Sequence, residues 1–312
     1  MDIEALIAER LDLALSGLDL APSFRSSLLS IGQGYLNAQV QHYKACLPPV
    51  QLPFLCCEAN SGDPKRAVGV ATAWFLLQVA AHLLDKVEDQ ELEMAGMHMR
   101  SQGVSTNLST GLIFVAEWIL NHLEMDSVDA GAAWDIQRAF QETVLSVCSG
   151  QYLDLSLASP DLTTCWKIAE AKSGAAFSLA CYVGTRVATS DTQRLHSMEA
   201  FGRHLGTIVQ ISDDLEDLEP GESEKRNKPN SLIRAFQTYI REGSQESGEA
   251  VATQPNSHDL PRNVLILYLR LEAMKYAELA RRELNAIRLN EQPRDRILTI
   301  LNHLSWLGVT TN

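Results

Sequence analysis

Apolar residues recur at three- and four-residue spacing along almost all of this 312-residue chain, the pattern of one-sided helices rather than strands. Alternating runs bounded by Asn-Gly or Asp-Gly, which announce hairpins, are missing. The spacing predicts helices over roughly 2–16, 23–45, 64–89, 105–124, 130–157, 162–188, 192–218, 229–242, 261–287 and 293–306. Pro22, Pro64 and Pro160 fall at or just before helix starts, where a missing N–H costs little. No change of composition divides the chain and no short repeat appears. The expectation is therefore one all-α domain over 1–312, a single large helical bundle. The stretch "REGSQESGEAVATQPNSHDLP", 241–261, is polar and poor in aromatics and reads as a surface insertion.

At 46% hydrophobic residues the chain can bury a sizeable core. Its net charge of −13 argues against nucleic acid or an anionic membrane as the main partner. A small anionic substrate stays open, because a divalent cation reverses the local sign. The six cysteines, at 46, 56, 57, 148, 165 and 181, show no CxxC and no paired histidine spacing. They read as free thiols of a reducing compartment rather than a zinc site. The start, "MDIEALIAERLDLAL", is acidic and amphipathic, unlike a signal peptide. The apolar stretches near 68–84 and 108–120 are short or broken by polar residues, so no stable membrane insertion is expected. The expected location is cytoplasmic.

Two apolar helical runs end in acid. "AAHLLDKVEDQE" (80–91) and "VQISDDLEDLE" (209–219) have corresponding acidic clusters 128 residues apart. Asp85 and Asp89 stand four residues apart on one helix face, as do Asp213 and Asp217. Lys86 points about 100° away from that face. Hard cations take oxygen ligands, and Mg²⁺ usually keeps waters and bridges carboxylates to substrate phosphates. Two such faces suit a diphosphate held by several Mg²⁺ ions. Either cluster alone also reads as a solvated helix end. An EF-hand fits poorly, since Leu218 stands where the loop glycine should be.

These residues resemble the trans-prenyltransferases, or polyprenyl synthetases, of the class I isoprenoid synthases. "LLQVAAHLLDKVED" (76–89) looks like the first aspartate-rich motif and "GRHLGTIVQISDDLED" (202–217) like the second. Between them, "GQYLDL" (150–155) and "KSGAAF" (172–177) match the family's GQxxD and Lys-Thr elements, and "CCEANSGDPKRA" (56–67) its early link. The resemblance implies an isoprenoid-synthase bundle with a central cavity, usually a homodimer, that ionises an allylic prenyl diphosphate with three Mg²⁺ ions. Carried over by position, Asp85, Asp89 and Asp213 are metal ligands, with Asp217 and Asp214 supporting them directly or through water. Lys172, Gln210 and Asp214 are the catalytic set. Gln151 and Asp154 lie near the reacting carbons or orient the lysine. Lys228, or else Lys225 or Arg226, closes over the phosphates. Metals and lysines around the leaving diphosphate stabilise charge that develops in the transition state, and no triad base is needed. No GxSxG, P-loop or GxGxxG occurs.

The pattern breaks on one side. Chain-elongating members hold isopentenyl diphosphate with a Gly-Gly-Lys-x-x-Arg-Pro element; here the stretch is "LPPVQLPFL" (47–55), without a cation. After the first motif stands "ELEMAGMHM" (91–99), leaving only His98 and Arg100 as remote candidates, and the chain ends "LGVTTN" with no basic residue. The leading expectation is an enzyme whose allylic cation is captured by its own distal double bond or by an acceptor other than isopentenyl diphosphate. Ordinary chain elongation and a non-catalytic partner subunit are the alternatives. One, two and three turns before Asp85 lie Ala81, Leu77 and Trp74. Trp74, about 16 Å along the axis at 1.5 Å per residue, is either core packing or the floor for a farnesyl or geranylgeranyl chain.

Overall fold

The computed structural model describes residues 1–42, 49–88, 101–157, 160–216, 218, 232, 235–236, 238–240 and 262–307. The protein is all-α, as the spacing predicts, and no strand occurs among the described residues. Its helices are α1 (Ile3–Ser16), α2 (Pro22–His42), α3 (Leu52–Ala59), α4 (Val68–Glu88), α5 (Gln102–Leu120) and α6 (Ala130–Ser156). There follow α7 (Leu162–Ala169), α8 (Ala175–Ala188), α9 (Thr192–Glu216), α10 (Arg262–Asn285) and α11 (Glu291–Leu307). Their starts are set by short acceptor side chains. Asp2, Ser101, Asp129 and Asp161 accept from the backbone N–H of Ala5, Val104, Ala132 and Thr164, satisfying donors that the helix itself leaves open.

Two elements differ from the sequence reading. The expected helix over 162–188 is interrupted by a π turn, Glu170–Gly174. The chain also forms α3, which the periodicity does not announce. Its eight residues are almost all buried, so no polar face marks a period. The expected helix over 229–242 is described only at 232, 235–236 and 238–240, all helical, and the insertion 241–261 lies outside the described residues.

The chain divides into two compact units, residues 1–142, 179–200 and 283–300, and residues 143–178, 201–282 and 301–312. In the first, α4 is apolar nearly all round and is wrapped by α1, α2, α3 and α5, as a helix hydrophobic on every face must be. Trp74, Phe75 and Leu76 are its deepest large side chains. The continuous helical stretch Pro64–Glu88 and helix α5 are long and apolar enough, by length and composition, to cross a membrane. That corrects the reading of both as too short or broken; the first has 78% of its apolar window buried within the protein itself. Arg10 of α1 donates to the His122 carbonyl at 3.2 Å and to Asp126 at 3.3 Å. Burial pushes the Asp126 carboxyl up while Arg10 pulls it down.

In the second unit Ile211 of α9 packs with Leu265, Leu269 and Ala273 of α10 and with Cys165, Leu232 and Phe236. Trp166 and Tyr268 border this core, with the indole N–H donating to the Tyr268 hydroxyl at 2.9 Å.

Candidate functional site

Gly202, Gly206, Gln210 and Asp214 stand four residues apart and form one row along α9. Its glycine end lies against the backbone that opens α8. A Cβ on Gly206 would sit 2.2 Å from the Ser173 carbonyl oxygen, and one on Gly202 would sit 2.4 Å from that of Phe177. Only hydrogen fits at either place, and the fit fixes how close α9 comes to the π turn. One turn further on, the Ser173 hydroxyl donates to Oε1 of Gln210 at 2.9 Å. The Gln210 amide then donates through Nε2 to Oδ1 of Asp214 at 3.3 Å. Asp214 is only 4% exposed, while its neighbour Asp213, a third of a turn away, is exposed.

The other flank of the π turn repeats the device. A Cβ on Gly150 of α6 would sit 3.0 Å from both the Ala171 Cβ and the Lys172 Cγ. One turn later Asp154 accepts from the Lys172 ammonium at 3.1 Å, with 33% and 23% of the two side chains exposed. On each side, then, a glycine sets the spacing and a polar residue four places on holds a π-turn side chain. Such turns widen a helix by one residue and occur often at functional sites. Behind it, the Tyr276 hydroxyl of α10 donates to Glu170 at 3.5 Å, and burial together with Glu170 raises that phenol to about 12. Gln151 is half-buried beside Gly150 on α6. The result is a fixed ammonium, an oriented amide and a carboxylate within one stretch of three elements.

Ser173 was not among the residues expected to act, although it stands where the family's Lys-Thr element has threonine. The "KS" dipeptide at 172–173 is the signal that points to it.

In the first unit, Asp85 and Lys86 near the end of α4 are half-buried and Glu88 is exposed. Along the row behind Asp85, Ala81 is half-buried, Leu77 is 5% exposed and Trp74 is 1% exposed. Asp89, Asp217, Lys228, Lys225, Arg226, His98 and Arg100 lie outside the described residues. Among the described residues no group of three or more His, Cys, Asp or Glu side chains comes together to hold a metal unaided. Asp85 and the exposed Asp213 are nonetheless hard oxygen donors. Each by itself is the kind of group that Mg²⁺ takes, one or two carboxylates being usual with substrate phosphates and water completing its shell.

Residues 50–232 match the polyprenyl synthetase family. The (2E,6E)-farnesyl diphosphate synthase of Mycobacterium bovis is 28% identical over 171 residues, covering 53% of this chain and 46% of that one. Tryptophan prenyltransferase ComQ of Bacillus subtilis subsp. natto is 24% identical over 161 residues, 50% of this chain and 47% of that one. The match thus spans about half the length of these curated relatives. The crystal structure of a polyprenyl synthetase from Streptomyces coelicolor A3(2) superposes with a TM-score of 0.71 at 19% identity, over 97% of each chain. At that identity the likeness is one of fold, the isoprenoid synthase helical bundle. With the family's motifs matched in order and its fold recovered, the chain belongs to the polyprenyl synthetase family.

Proposed function

We propose that this protein ionises an allylic prenyl diphosphate with Mg²⁺ and passes the cation to an electron pair other than that of isopentenyl diphosphate. The observation that carries this reading is the pair of contacts on the π turn, Lys172 to Asp154 and Ser173 to Gln210. The groups that act on the allylic half are built and braced. The stretch that elsewhere carries cations for isopentenyl diphosphate has none, and its Val50, Leu52, Phe54 and Leu55 are at most 1% exposed.

Lys172 binds the diphosphate as a fixed positive charge, positioned by Asp154. Gln210, its amide oriented between Ser173 and Asp214, turns a carbonyl dipole toward the carbon that becomes electron-poor. Mg²⁺, when bound with the substrate, supplies the charge that lets the diphosphate leave. Asp85, Asp89, Asp213 and Asp217 hold that metal in this reading, three ions in all. Asp214 acts through Gln210, Gln151 would serve near the reacting carbons or orient the lysine, and Lys228, outside the described residues, would add a charge for the phosphates. Trp74, Leu77 and Ala81 set the depth available to the prenyl chain. The two units serve one catalytic domain. The reading includes a homodimer, the assembly that the resemblance to the family implies.

The bacterial relative named as a tryptophan prenyltransferase supports transfer to another acceptor. The relative named as a farnesyl diphosphate synthase favours a second reading, chain elongation. Incubation with Mg²⁺ and prenyl diphosphates of ten to twenty carbons, with and without isopentenyl diphosphate, separates the two. Release of inorganic diphosphate without isopentenyl diphosphate is expected, and Asp213→Ala abolishes it while the helical circular dichroism stays. Release that requires isopentenyl diphosphate and yields a longer prenyl diphosphate sinks the first reading.

A further inference from the structure

The acceptor of the proposed reaction must bring an electron pair to the carbon released near the acidic end of α4. On a helix surface the neighbours of Asp85 include the residue three places earlier, and that residue is His82, an exposed histidine. Tyr35 of α2 packs edge-on to it, with ring centroids 5.3 Å apart and the planes at 75°. Burial raises the Tyr35 phenol to about 12, so it stays an O–H donor at any working pH. One turn further along α2, the Gln39 side-chain oxygen is buried and meets no hydrogen-bond donor among the described residues. A buried acceptor oxygen gains from any donor that reaches it.

We infer that Tyr35 and His82 form the rest for the acceptor, and that the acceptor is an uncharged, electron-rich aromatic ring bearing an N–H, an indole being the simplest case. The inference rests on the reading above. Three observations select this chemistry. The 47–55 stretch, which would hold a second diphosphate, carries no cation, so the acceptor need not be an anion. An edge-to-face pair of rings is completed favourably by a third ring. The buried acceptor oxygen of Gln39, on the same face of α2 as Tyr35, matches an N–H.

The step balances without a further reactant. The allylic C–O bond breaks and its electron pair leaves on the diphosphate. A ring carbon of the acceptor supplies the pair for the new C–C bond. The proton displaced from that carbon goes to the departing diphosphate.

The test uses the full chain, Mg²⁺, farnesyl diphosphate and free indole or N-acetyltryptophanamide as the probe, with products separated by mass. The readout is the ratio of prenylated probe to farnesol, the product of capture by water. That ratio is internal to each reaction and does not depend on how much protein has folded. The wild type forms the adduct. In His82→Leu and Tyr35→Leu the ratio falls about tenfold and the KM for the probe rises by a similar factor, whereas Tyr35→Phe, which keeps the ring, retains most of both. Unchanged ratios in the two leucine variants overturn the inference. So does a wild type that releases diphosphate yet forms no adduct. A wild type that releases no diphosphate at all overturns the underlying functional reading instead, and the two failures are therefore distinct.

Discussion

A single methyl group is the sharpest probe of how this site is held. Gly206→Ala sets a carbon where the Ser173 carbonyl oxygen lies only 2.2 Å away and the Gly174 Cα only 2.9 Å away. Both are backbone atoms, so α9 must move off the π turn. Overpacking of that kind costs about 1–3 kcal/mol. We expect a lower melting temperature together with slower diphosphate release, because the hydrogen bond from Ser173 to Gln210 stretches with the shift. Ser173→Ala tests the bond without the clash. It should leave the melting temperature within a few degrees and slow diphosphate release about tenfold, roughly the 1.4 kcal/mol of one well-placed hydrogen bond. Ser173→Thr, which keeps the hydroxyl, should stay near the wild-type rate. Equal rates for the alanine and threonine variants would show that the contact does not orient Gln210.

At the scale of the element, the start of α6 links stability to pH. The Asp129 carboxylate accepts from the Ala132 N–H at 2.9 Å, and that bond holds its pKa below the ordinary value. A depressed carboxylate contributes stability above its unfolded pKa, about 3.9, and loses it as pH falls through the lower folded value. Asp129→Ala should therefore lower stability by about 0.5 kcal/mol at pH 7, the low end for an exposed cap. The gap between variant and wild type should narrow as the pH falls below the unfolded value in chemical denaturation, and a gap constant with pH would remove the carboxylate from the account. Helix α4 offers a functional counterpart. Trp74 is buried so deeply that Trp74→Ala risks about 3–5 kcal/mol of stability, which would mask a change in chain-length preference. Ala81 is half-buried and tolerates a test. Ala81→Phe should shift preference from farnesyl or geranylgeranyl toward shorter diphosphates, read by competition among chain lengths. An unaltered preference in a folded variant would place the prenyl chain elsewhere.

For the molecule as a whole, the proposed reaction makes stability depend on metal and substrate jointly. A ligand that binds only the folded protein adds about 2.7 kcal/mol at a hundred times its Kd. A non-hydrolysable farnesyl diphosphate analogue should raise the melting temperature with Mg²⁺ present and lose that effect on chelation with EDTA. Isopentenyl diphosphate at the same concentration should give no shift, since the 47–55 stretch carries no cation and its described core residues are buried. An equal shift from both compounds would restore chain elongation as the leading reading.

Much of the fold, and the residues proposed for the allylic half of the site, could be read from the sequence alone. Helix positions followed from apolar spacing, since a helix must show one face to the core, and residues 202–217 were visible as an aspartate-rich motif. The lack of cations at 47–55 was likewise a fact of composition. What local spacing could not provide depends on neighbours distant in sequence. α3 hides its period because nearly every side is covered. The π turn has no local signature, since the extra residue is accommodated by packing between Gly150 and Gly206 rather than by its own propensity. Asp213 and Asp214 are chemically identical in the sequence, and burial alone made one an exposed donor and the other the anchor of Gln210. His82 likewise became notable only when α2 set Tyr35 edge-on to it. Sequence determined which chemistry the chain carries, because residue type and period are local. Tertiary structure decided which of those groups are held, because close approach and burial arise only where separate elements meet.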